Sequence, residues 1–160
     1  MKKLIATAIV FSVLGFVAGN AFFYLAGPIW LDVEVSEDLA AGQAERSVAT
    51  GAFTGADAIH QGRGTATIYA DRAGNQLLRF TEFDVTNGPD LRLWLVAHEN
   101  ASNTDAVLAS EHISLGRLKG NIGDQNYMLP AGIDLTKYKT VAVWCKQFDV
   151  LVASAVLNGS

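Results

Sequence analysis

The sequence is poor in cysteine and in positive charge. It contains one cysteine among 160 residues, and its 12 Lys and Arg are outnumbered by 16 Asp and Glu. A single cysteine cannot form an internal disulfide, which excludes a disulfide-stapled scaffold. No basic cluster interleaved with aromatic residues occurs beyond the first residues. Nucleic acid is therefore excluded as a partner.

Catalytic motifs are also missing. The sequence has no Gly-x-Ser-x-Gly, no phosphate-binding glycine loop and no His-Glu-x-x-His. Its three histidines are scattered without the short spacing of a zinc site, so no metal site is predicted. The absence of Cys-x-x-Cys-His excludes covalently attached c-type haem. Without a hydrolase or transferase motif, a hydrolase is not expected, and the motifs leave open whether the protein is an enzyme.

The N-terminus carries a long uncharged run. Lys2 and Lys3 precede apolar residues that continue to about Gly27. A membrane-spanning helix needs roughly 20 apolar residues, so residues 1–27 are predicted to anchor the chain in membrane lipid. The lysines favour the cytoplasmic side, which predicts a single-pass cell-membrane protein with an extracytoplasmic domain. The small-x-small triplet at 19–21 is compatible with a cleavable signal peptide instead.

The rest of the chain divides into a linker and one folded domain. Residues 28–50 are acidic and are predicted to form a polar linker. Residues 51–157 contain short apolar runs about ten residues apart, separated by Gly, Asn and Asp turns. This pattern, without a long helical period, is typical of an antiparallel β-sandwich or barrel. The predicted fold is all-β, an antiparallel β-sandwich preceded by one transmembrane helix.

The stretch 140–148 (Thr-Val-Ala-Val-Trp-Cys-Lys-Gln-Phe) is predicted to be a central strand. Side chains alternate along a strand, so Val143 and Cys145 face one side and Trp144 faces the other. Both sides are mostly apolar, which indicates burial on at least one face. Cys145 is then a reactive thiol, an interchain disulfide partner or a small hydrophobic core residue.

A functional thiol requires a nearby positive charge or hydrogen-bond donor. Lys146 points to the opposite face of the strand, so the candidates are His60, His98 and His112. A Cys145 thiolate is also able to ligate haem iron or copper(I). His60 is a candidate cofactor ligand or, alternatively, a loop histidine that caps a turn. His98 and His112 flank a polar stretch and are predicted to be solvated.

The loop at 120–127 is the second candidate site. Its glycines allow close backbone approach, and Asn121, Gln125, Asn126 and Tyr127 offer polar groups. These residues are predicted to line a cofactor pocket. The alternative is a loop whose amides hydrogen-bond its own backbone.

These motifs together resemble the DM-thirteen domain family, in that family's order and spacing. The matching segments are 51–53 (Gly-Ala-Phe), His60, 87–91 (Asn-Gly-Pro-Asp-Leu), 115–121 (Leu-Gly-Arg-Leu-Lys-Gly-Asn), 123–127 (Gly-Asp-Gln-Asn-Tyr), 129–130 (Leu-Pro), 143–145 (Val-Trp-Cys) and Phe148. The resemblance covers the whole predicted domain.

The resemblance implies a β-sandwich related to the DOMON group, found in extracytoplasmic or membrane-tethered proteins. It also implies a redox or electron-transfer role centred on Cys145. In our redox hypothesis, the 120–127 loop and Trp144 shape the surroundings of that thiol. The cofactor would be haem or none. Because no oxidoreductase domain accompanies it, the electron partner would be another protein. The alternative is a non-catalytic protein- or ligand-binding module with Cys145 in its core.

Overall fold

The computed structural model describes residues 2–40 and 46–159. The chain forms two compact units, which divide after Leu31. The first unit contains α1 (Lys2–Trp30), of which residues 2–24 are long and apolar enough to cross a membrane. At 1.5 Å per residue this stretch is about 35 Å long, which exceeds a hydrocarbon core of about 30 Å. A membrane anchor and a signal sequence both satisfy this test.

The helix ends three residues later than the predicted boundary at 27. α1 continues through Pro28 to Trp30. The N–H of Leu31 donates to the carbonyl of Gly27 at 2.9 Å, so helical hydrogen bonding resumes after the proline. A proline removes only its own N–H donor, and one such loss does not end this helix.

The second unit is mostly β-structure, with nine strands and one short helix among the described residues. The elements are β1 (Arg46–Gly55), β2 (Gly62–Ala70), β3 (Gln76–Val85), β4 (Leu91–Val96), α2 (Thr104–Leu108), β5 (His112–Arg117), β6 (Gln125–Met128), β7 (Thr140–Cys145), β8 (Val150–Val156) and β9 (Asn158–Gly159). The strand order is β5-β4-β7-β8-β1-β2-β3-β6, all pairs are antiparallel, and β9 pairs with β1.

β1 joins the two halves of this sheet. Its residues 46–52 pair with β2, and its last three residues, from Phe53 to Gly55, pair with β8. The sheet is therefore one continuous, nearly closed path. Both halves pack on the same hydrophobic core, which includes Phe53, Ile68, Phe80, Leu93, Val143 and Ala153. The mostly-β antiparallel fold is confirmed, whereas a division into the two separate sheets of a sandwich stays a prediction.

β7 is buried on both faces, as its composition predicts. All six of its residues are buried. Val143 and Cys145 belong to the main core, and Trp144 belongs to a second cluster on the opposite face. The strand is shorter than the predicted 140–148, because residues 146–149 form the turn to β8. Phe148 lies in that turn and is exposed.

α2 covers the second cluster. The sequence does not distinguish helix from loop for residues 102–109. The structure has a helix there, and its N-cap stabilises it: the Asn103 side chain accepts a hydrogen bond from the Ala106 N–H at 2.9 Å. Val107 of α2 is buried in the second cluster beside Trp144. The N–H of Leu151 on β8 donates to the Thr104 hydroxyl at 3.1 Å, which fixes the helix to the sheet.

Part of the predicted linker lies against the domain. Within 28–50, the N–H groups of Val35 and Glu37 donate to the carbonyls of Ile122 and Asp124 at 2.9 and 3.0 Å. The Glu37 carboxylate accepts hydrogen bonds from the Lys119 ammonium at 2.7 and 2.8 Å. Hydrogen bonding from Lys119 is the main cause of the lowered pKa of Glu37. Residues 32–38 are thus held on the domain surface. Residues 41–45 of the predicted linker lie outside the described residues, and the boundaries 28–50 and 51–157 stay predictions.

Arg79 of β3 is expected to stabilise this attachment. Its guanidinium donates to the Asp124 carboxylate at 2.6 Å and to the Glu37 carbonyl at 2.8 Å, and its side chain is largely buried. Replacement Arg79→Met should lower the free energy of unfolding in urea by about 2–3 kcal/mol, because a charged hydrogen-bond network is left unpaired. Arg63→Met is the matched control: Arg63 is exposed and pairs with Asp84 at 2.6 Å, so about 1 kcal/mol or less is expected. Equal losses in the two variants would contradict this role.

Candidate functional site

Cys145 is the last residue of β7, between Leu91 of β4 and Val150 of β8. It is 2% exposed and belongs to the main hydrophobic core. The turn at 87–90 lies next to it. A Cβ added to Gly88 would lie 3.7 Å from the Cys145 sulfur and 3.0 Å from the Leu91 Cδ2 atom. The turn therefore packs directly against the thiol, at a position where a side chain would be crowded.

An ion-pair cluster holds this turn in place. The Asp90 carboxylate accepts hydrogen bonds from Arg92 at 2.8 and 3.1 Å and from Arg117 at 3.2 and 3.3 Å. The Arg92 hydrogen bond is the main cause of the lowered pKa of Asp90. The Asp90 carbonyl also accepts from the Lys146 N–H at 2.9 Å, directly after Cys145. The thiol is thus covered by a turn that charged side chains keep closed.

His60 lies at the same end of the sheet, in the loop between β1 and β2. Its Nδ1 atom is 2.8 Å from an Asp57 carboxylate oxygen. That hydrogen bond, with two backbone N–H bonds, lowers the pKa of Asp57 to about 2. Gln61 and Thr86 exchange hydrogen bonds of 2.7 and 3.0 Å, which tie this loop to the start of the 87–90 turn. His60 thus stabilises a turn near Cys145, and a ligand role for it stays a prediction.

His98 and His112 lie at the opposite end of the sheet. His112 pairs with Val96, which pairs with Thr140, the first residue of β7. Cys145 is five positions after Thr140, which is about 17 Å along a strand. Both histidines are exposed. At that separation neither supplies the positive charge that the thiol requires.

The second half of the predicted 120–127 loop is strand, because Gln125, Asn126 and Tyr127 belong to β6 and pair with β3. Gln125 and Tyr127 form a hydrogen-bond set with the backbone of the preceding loop. The Gln125 amide donates to the Gly120 carbonyl at 2.9 Å and accepts from the Tyr127 hydroxyl at 2.6 Å. The Tyr127 oxygen accepts in turn from the Lys119 N–H at 3.0 Å. Burial raises the pKa of Tyr127 to about 12. Both side chains stabilise the loop itself, as the alternative interpretation of the sequence expects for its amides.

Asn121 and Asn126 bind the attached segment 32–38. The Asn121 side chain accepts from the Val33 N–H at 2.7 Å, and the Asn126 side chain donates to the Asp38 carbonyl at 2.9 Å. These contacts were not predictable from the sequence, because they join residues 88 positions apart. A direct cofactor contact by the four loop residues stays a prediction.

Trp144 is 1% exposed and faces away from the thiol. Its ring stacks on Trp94 of β4, with centroids 4.8 Å apart and an interplanar angle of 19°. Sequence reasoning missed Trp94 as a candidate. The alternation of β4 was the available signal, because Leu91, Leu93 and Leu95 fill the core face and leave Trp94 on the face that Trp144 occupies.

The surroundings of Cys145 do not fit a haem. Its cross-strand neighbours, Leu91 on β4 and Val150 on β8, are aliphatic, and the Gly88 turn packs against the sulfur. Among the described residues, four cavities of about 250 to 570 Å³ are present, and none of the four includes Cys145 in its lining. A flat macrocycle needs an open pocket beside its ligand atom. In the described part of the chain, no three His, Cys, Asp or Glu side chains are grouped as a metal site.

Comparison with known proteins identifies the region that carries this site. The model of a protein family described as electron transfer DM13 matches residues 53–157. That range includes Cys145, Trp144, His60 and the 120–127 loop. Searches of curated proteins and of solved structures each found no match.

The hydrogen bonds to Asp57 lead to a testable prediction about the pKa of its carboxyl group. The Asp57 carboxyl should titrate near pH 2 in the intact protein, well below its ordinary value of 3.8. Because this pKa is depressed, the pair stabilises the loop above about pH 4 and loses that effect as the pH falls through about 2. In His60→Ala the pKa of Asp57 should rise part of the way to 3.8, since the backbone hydrogen bonds remain. Carboxyl-carbon NMR measures both values, and an unchanged pKa in the variant would contradict the assignment.

Proposed function

The chain belongs to the electron transfer DM13 family, and from this premise we propose that it is a membrane-tethered, extracytoplasmic electron-transfer module with Cys145 as its redox residue. The observation that carries the proposal is the position of Cys145, which ends the central strand β7 directly under the Gly88 turn. A thiol in that position becomes reachable when one surface turn moves. The rest of the core need not open.

The chemistry that suits this thiol is exchange with a disulfide of a partner protein. Once the turn opens, the Cys145 thiol loses its proton to solvent, and the thiolate attacks one sulfur of the partner disulfide. A mixed disulfide forms, the partner's S–S bond breaks, and the second partner sulfur leaves as a thiolate. The exchange replaces one S–S bond by another, so no bound cofactor takes part. Because Cys145 is the one cysteine of the sequence, a thiolate of a partner protein then attacks the mixed disulfide, and Cys145 leaves as a thiolate.

The surface around the turn suits contact with such a partner. Ile59 in the loop between β1 and β2 is 77% exposed, and Phe148 in the turn after β7 is 60% exposed. Both belong to loops at the end of the sheet where Cys145 lies. Large apolar side chains on exposed loops are frequent anchors of protein interfaces.

A second candidate is a non-catalytic binding module in which Cys145 is a core residue. The burial of Cys145 among aliphatic side chains favours this function, since free cysteine is among the most buried residue types. Ile59 and Phe148 would then serve binding alone. The reactivity of the thiol in the folded protein separates the two candidates.

Reaction with glutathione disulfide tests the redox role. The folded full chain should form a mixed disulfide at Cys145, reversible by reduced glutathione and measured by mass spectrometry. Asp90→Asn should accelerate this reaction several-fold, because the Arg92 and Arg117 bonds that close the turn are weakened. Asp84→Asn is the matched control: it weakens an exposed ion pair between β2 and β3 that includes no residue of the 87–90 turn, and it should leave the rate unchanged.

The two candidate functions give different outcomes. A mixed disulfide that forms only as fast as the whole protein unfolds would assign Cys145 to the core and favour the binding module. Cys145→Ala should give no adduct and should keep the circular-dichroism spectrum of the β-domain. An equal rate in Asp90→Asn and Asp84→Asn would rule out the 87–90 turn as the barrier.

The proposed location rests on the paired lysines at the start of α1 and on the apolar length of that helix. A membrane-impermeant amine reagent added to intact cells should label Lys137 and Lys139, which are partly exposed on the domain. Lys2 and Lys3 should be labelled only after the cells are permeabilised. Labelling of Lys2 and Lys3 in intact cells, together with protection of the domain lysines, would contradict the proposed location.

A further inference from the structure

Segment 32–38 lies against the domain as an added strand. A parallel bridge joins Glu34 and Ile122. The Ile122 N–H donates to the Val33 carbonyl at 3.3 Å, and the Ile122 carbonyl accepts from the Val35 N–H at 2.9 Å. This is the hydrogen-bond pattern of a parallel strand pair. Proteins that bind an extended peptide at an open sheet edge use the same arrangement.

The ladder continues on both sides of that bridge. The Val33 N–H donates to the Asn121 side chain at 2.7 Å, and the Glu37 N–H donates to the Asp124 carbonyl at 3.0 Å. Residues 33, 35 and 37 therefore turn their N–H groups toward the domain. A shift of the segment by one residue would turn all three N–H groups away, because neighbouring residues of an extended chain face opposite sides. The segment is thus bound in one register.

The Glu37 carboxylate is the charged anchor of the segment. It accepts hydrogen bonds from the Lys119 ammonium at 2.7 and 2.8 Å and from the Asn126 N–H at 2.7 Å. Asn126 lies on β6, which ends the sheet path, and its carbonyl accepts from the same ammonium at 2.7 Å. Arg79 donates to the Glu37 carbonyl at 2.8 Å. A glutamine in this position would keep one acceptor oxygen and no charge.

Two glycines leave room for the segment. A Cβ atom added to Gly120 would overlap the Val33 carbonyl oxygen and lie 2.8 Å from the Val35 Cγ2 atom. A Cβ atom added to Gly123 would overlap the Val35 carbonyl oxygen. Gly120 does not have a positive φ angle, and the atoms nearest to its added Cβ all belong to the segment. Glycine is therefore required at position 120 by the close approach of segment 32–38.

The domain itself holds the shape of this surface. The buried Gln125 side chain accepts from the Gly120 N–H at 3.3 Å and donates to the Gly120 carbonyl at 2.9 Å. The Asp124 carboxylate accepts from the Arg79 guanidinium at 2.6 Å. None of these bonds involves segment 32–38. The surface is therefore preorganised and should persist when the segment leaves.

We propose that residues 119–126, together with Arg79, form a peptide-recognition groove whose resident ligand is segment 32–38. The groove takes an extended peptide by strand addition. It selects a glutamate two positions after the residue whose N–H bonds to Ile122. Any other peptide of this chemistry has to displace segment 32–38, so the chain blocks its own groove. This inference goes beyond the proposed redox function and does not rest on it.

The contact suits a ligand that leaves and returns. The Glu37 and Lys119 side chains are 34% and 41% exposed, and Val33 is 51% exposed. Much of the apolar surface of the segment thus stays in solvent, and the attachment depends on main-chain hydrogen bonds and polar side chains. Contacts of this kind open locally while the strands of the core stay folded.

Hydrogen exchange of the full chain in detergent micelles tests the resident ligand. Val35→Pro removes the N–H that bonds to Ile122, and the Glu37 amide should then exchange at least about tenfold faster. Glu34→Pro is the matched control, because the Glu34 N–H points away from the groove and the Glu37 amide should keep its parent rate. Mass spectrometry of fragments that contain Glu37 measures both rates. Equal acceleration by the two prolines would overturn the proposed register and the groove with it.

A synthetic peptide tests recognition by the groove. A dye-labelled peptide with the sequence of residues 32–40 should bind the Val35→Pro chain saturably in fluorescence anisotropy. It should bind the parent chain at least about tenfold more weakly, because segment 32–38 already occupies the groove. The same peptide with Glu37→Gln should lose about tenfold in affinity. Glu34→Gln removes an equal charge from the peptide and should leave its affinity unchanged.

Further variants of the Val35→Pro chain locate the binding site. Gly120→Ala should abolish peptide binding, whereas Gly159→Ala, where an added Cβ meets open space, should not alter it. Cys145→Ala should also leave peptide binding unchanged, so failure of the thiol proposal would not affect this result.

Two results would overturn the groove as a recognition site. One is the absence of peptide binding to the Val35→Pro chain, which would make segment 32–38 a fixed part of the fold. The other is equal affinity for the peptides with glutamate and glutamine at position 37. If Gly120→Ala does not fold by circular dichroism, the comparison of these two peptides decides the question.

Discussion

The burial of β7 on both faces is the constraint on which the rest of the structure depends. β7 pairs with β4 and β8, and its side chains alternate between the main core and the second cluster. Adjacent residues must therefore lie in separate environments. Trp144 and Cys145, neighbours in the chain, are placed on opposite sides of the sheet, and each acquires its own neighbours: an aromatic stack for the indole and an aliphatic core closed by a turn for the thiol.

Charged and amide side chains hold the connections of the sheet in shape. Asp90 binds two arginines and keeps the 87–90 turn over the thiol. On the other half of the sheet, Arg79 and Lys119 bind the segment 32–38 through Asp124 and Glu37. In both places an acidic residue of a loop pairs with a basic residue presented by the sheet or its neighbouring loop. The polar residues of this domain thus fix loop geometry around an apolar core.

The candidate site was predictable in part. Cys145 and Trp144 were recognisable as neighbours on a buried central strand, because the sequence shows an apolar run at that position and a single cysteine within it. The length of that strand was not, since the turn at 146–149 depends on where β8 begins. Asn121 and Asn126 were identified as polar loop residues, but their partners in 32–38 belong to a stretch that composition describes only as acidic. Trp94 gained significance only when the register placed it between His112 and Trp144.

Local order along the chain is sufficient to predict several features: the apolar N-terminal helix, the succession of short strands, the buried central strand and the family of the domain. Hydrophobic periodicity and turn residues act over a few positions, so these patterns are visible in the amino-acid sequence. The folded chain was needed to show the near-closed path of the sheet, the Gly88 turn against the thiol and the stack of three rings. These features join residues from distant strands, and their geometry follows from strand register and packing, which no local pattern specifies.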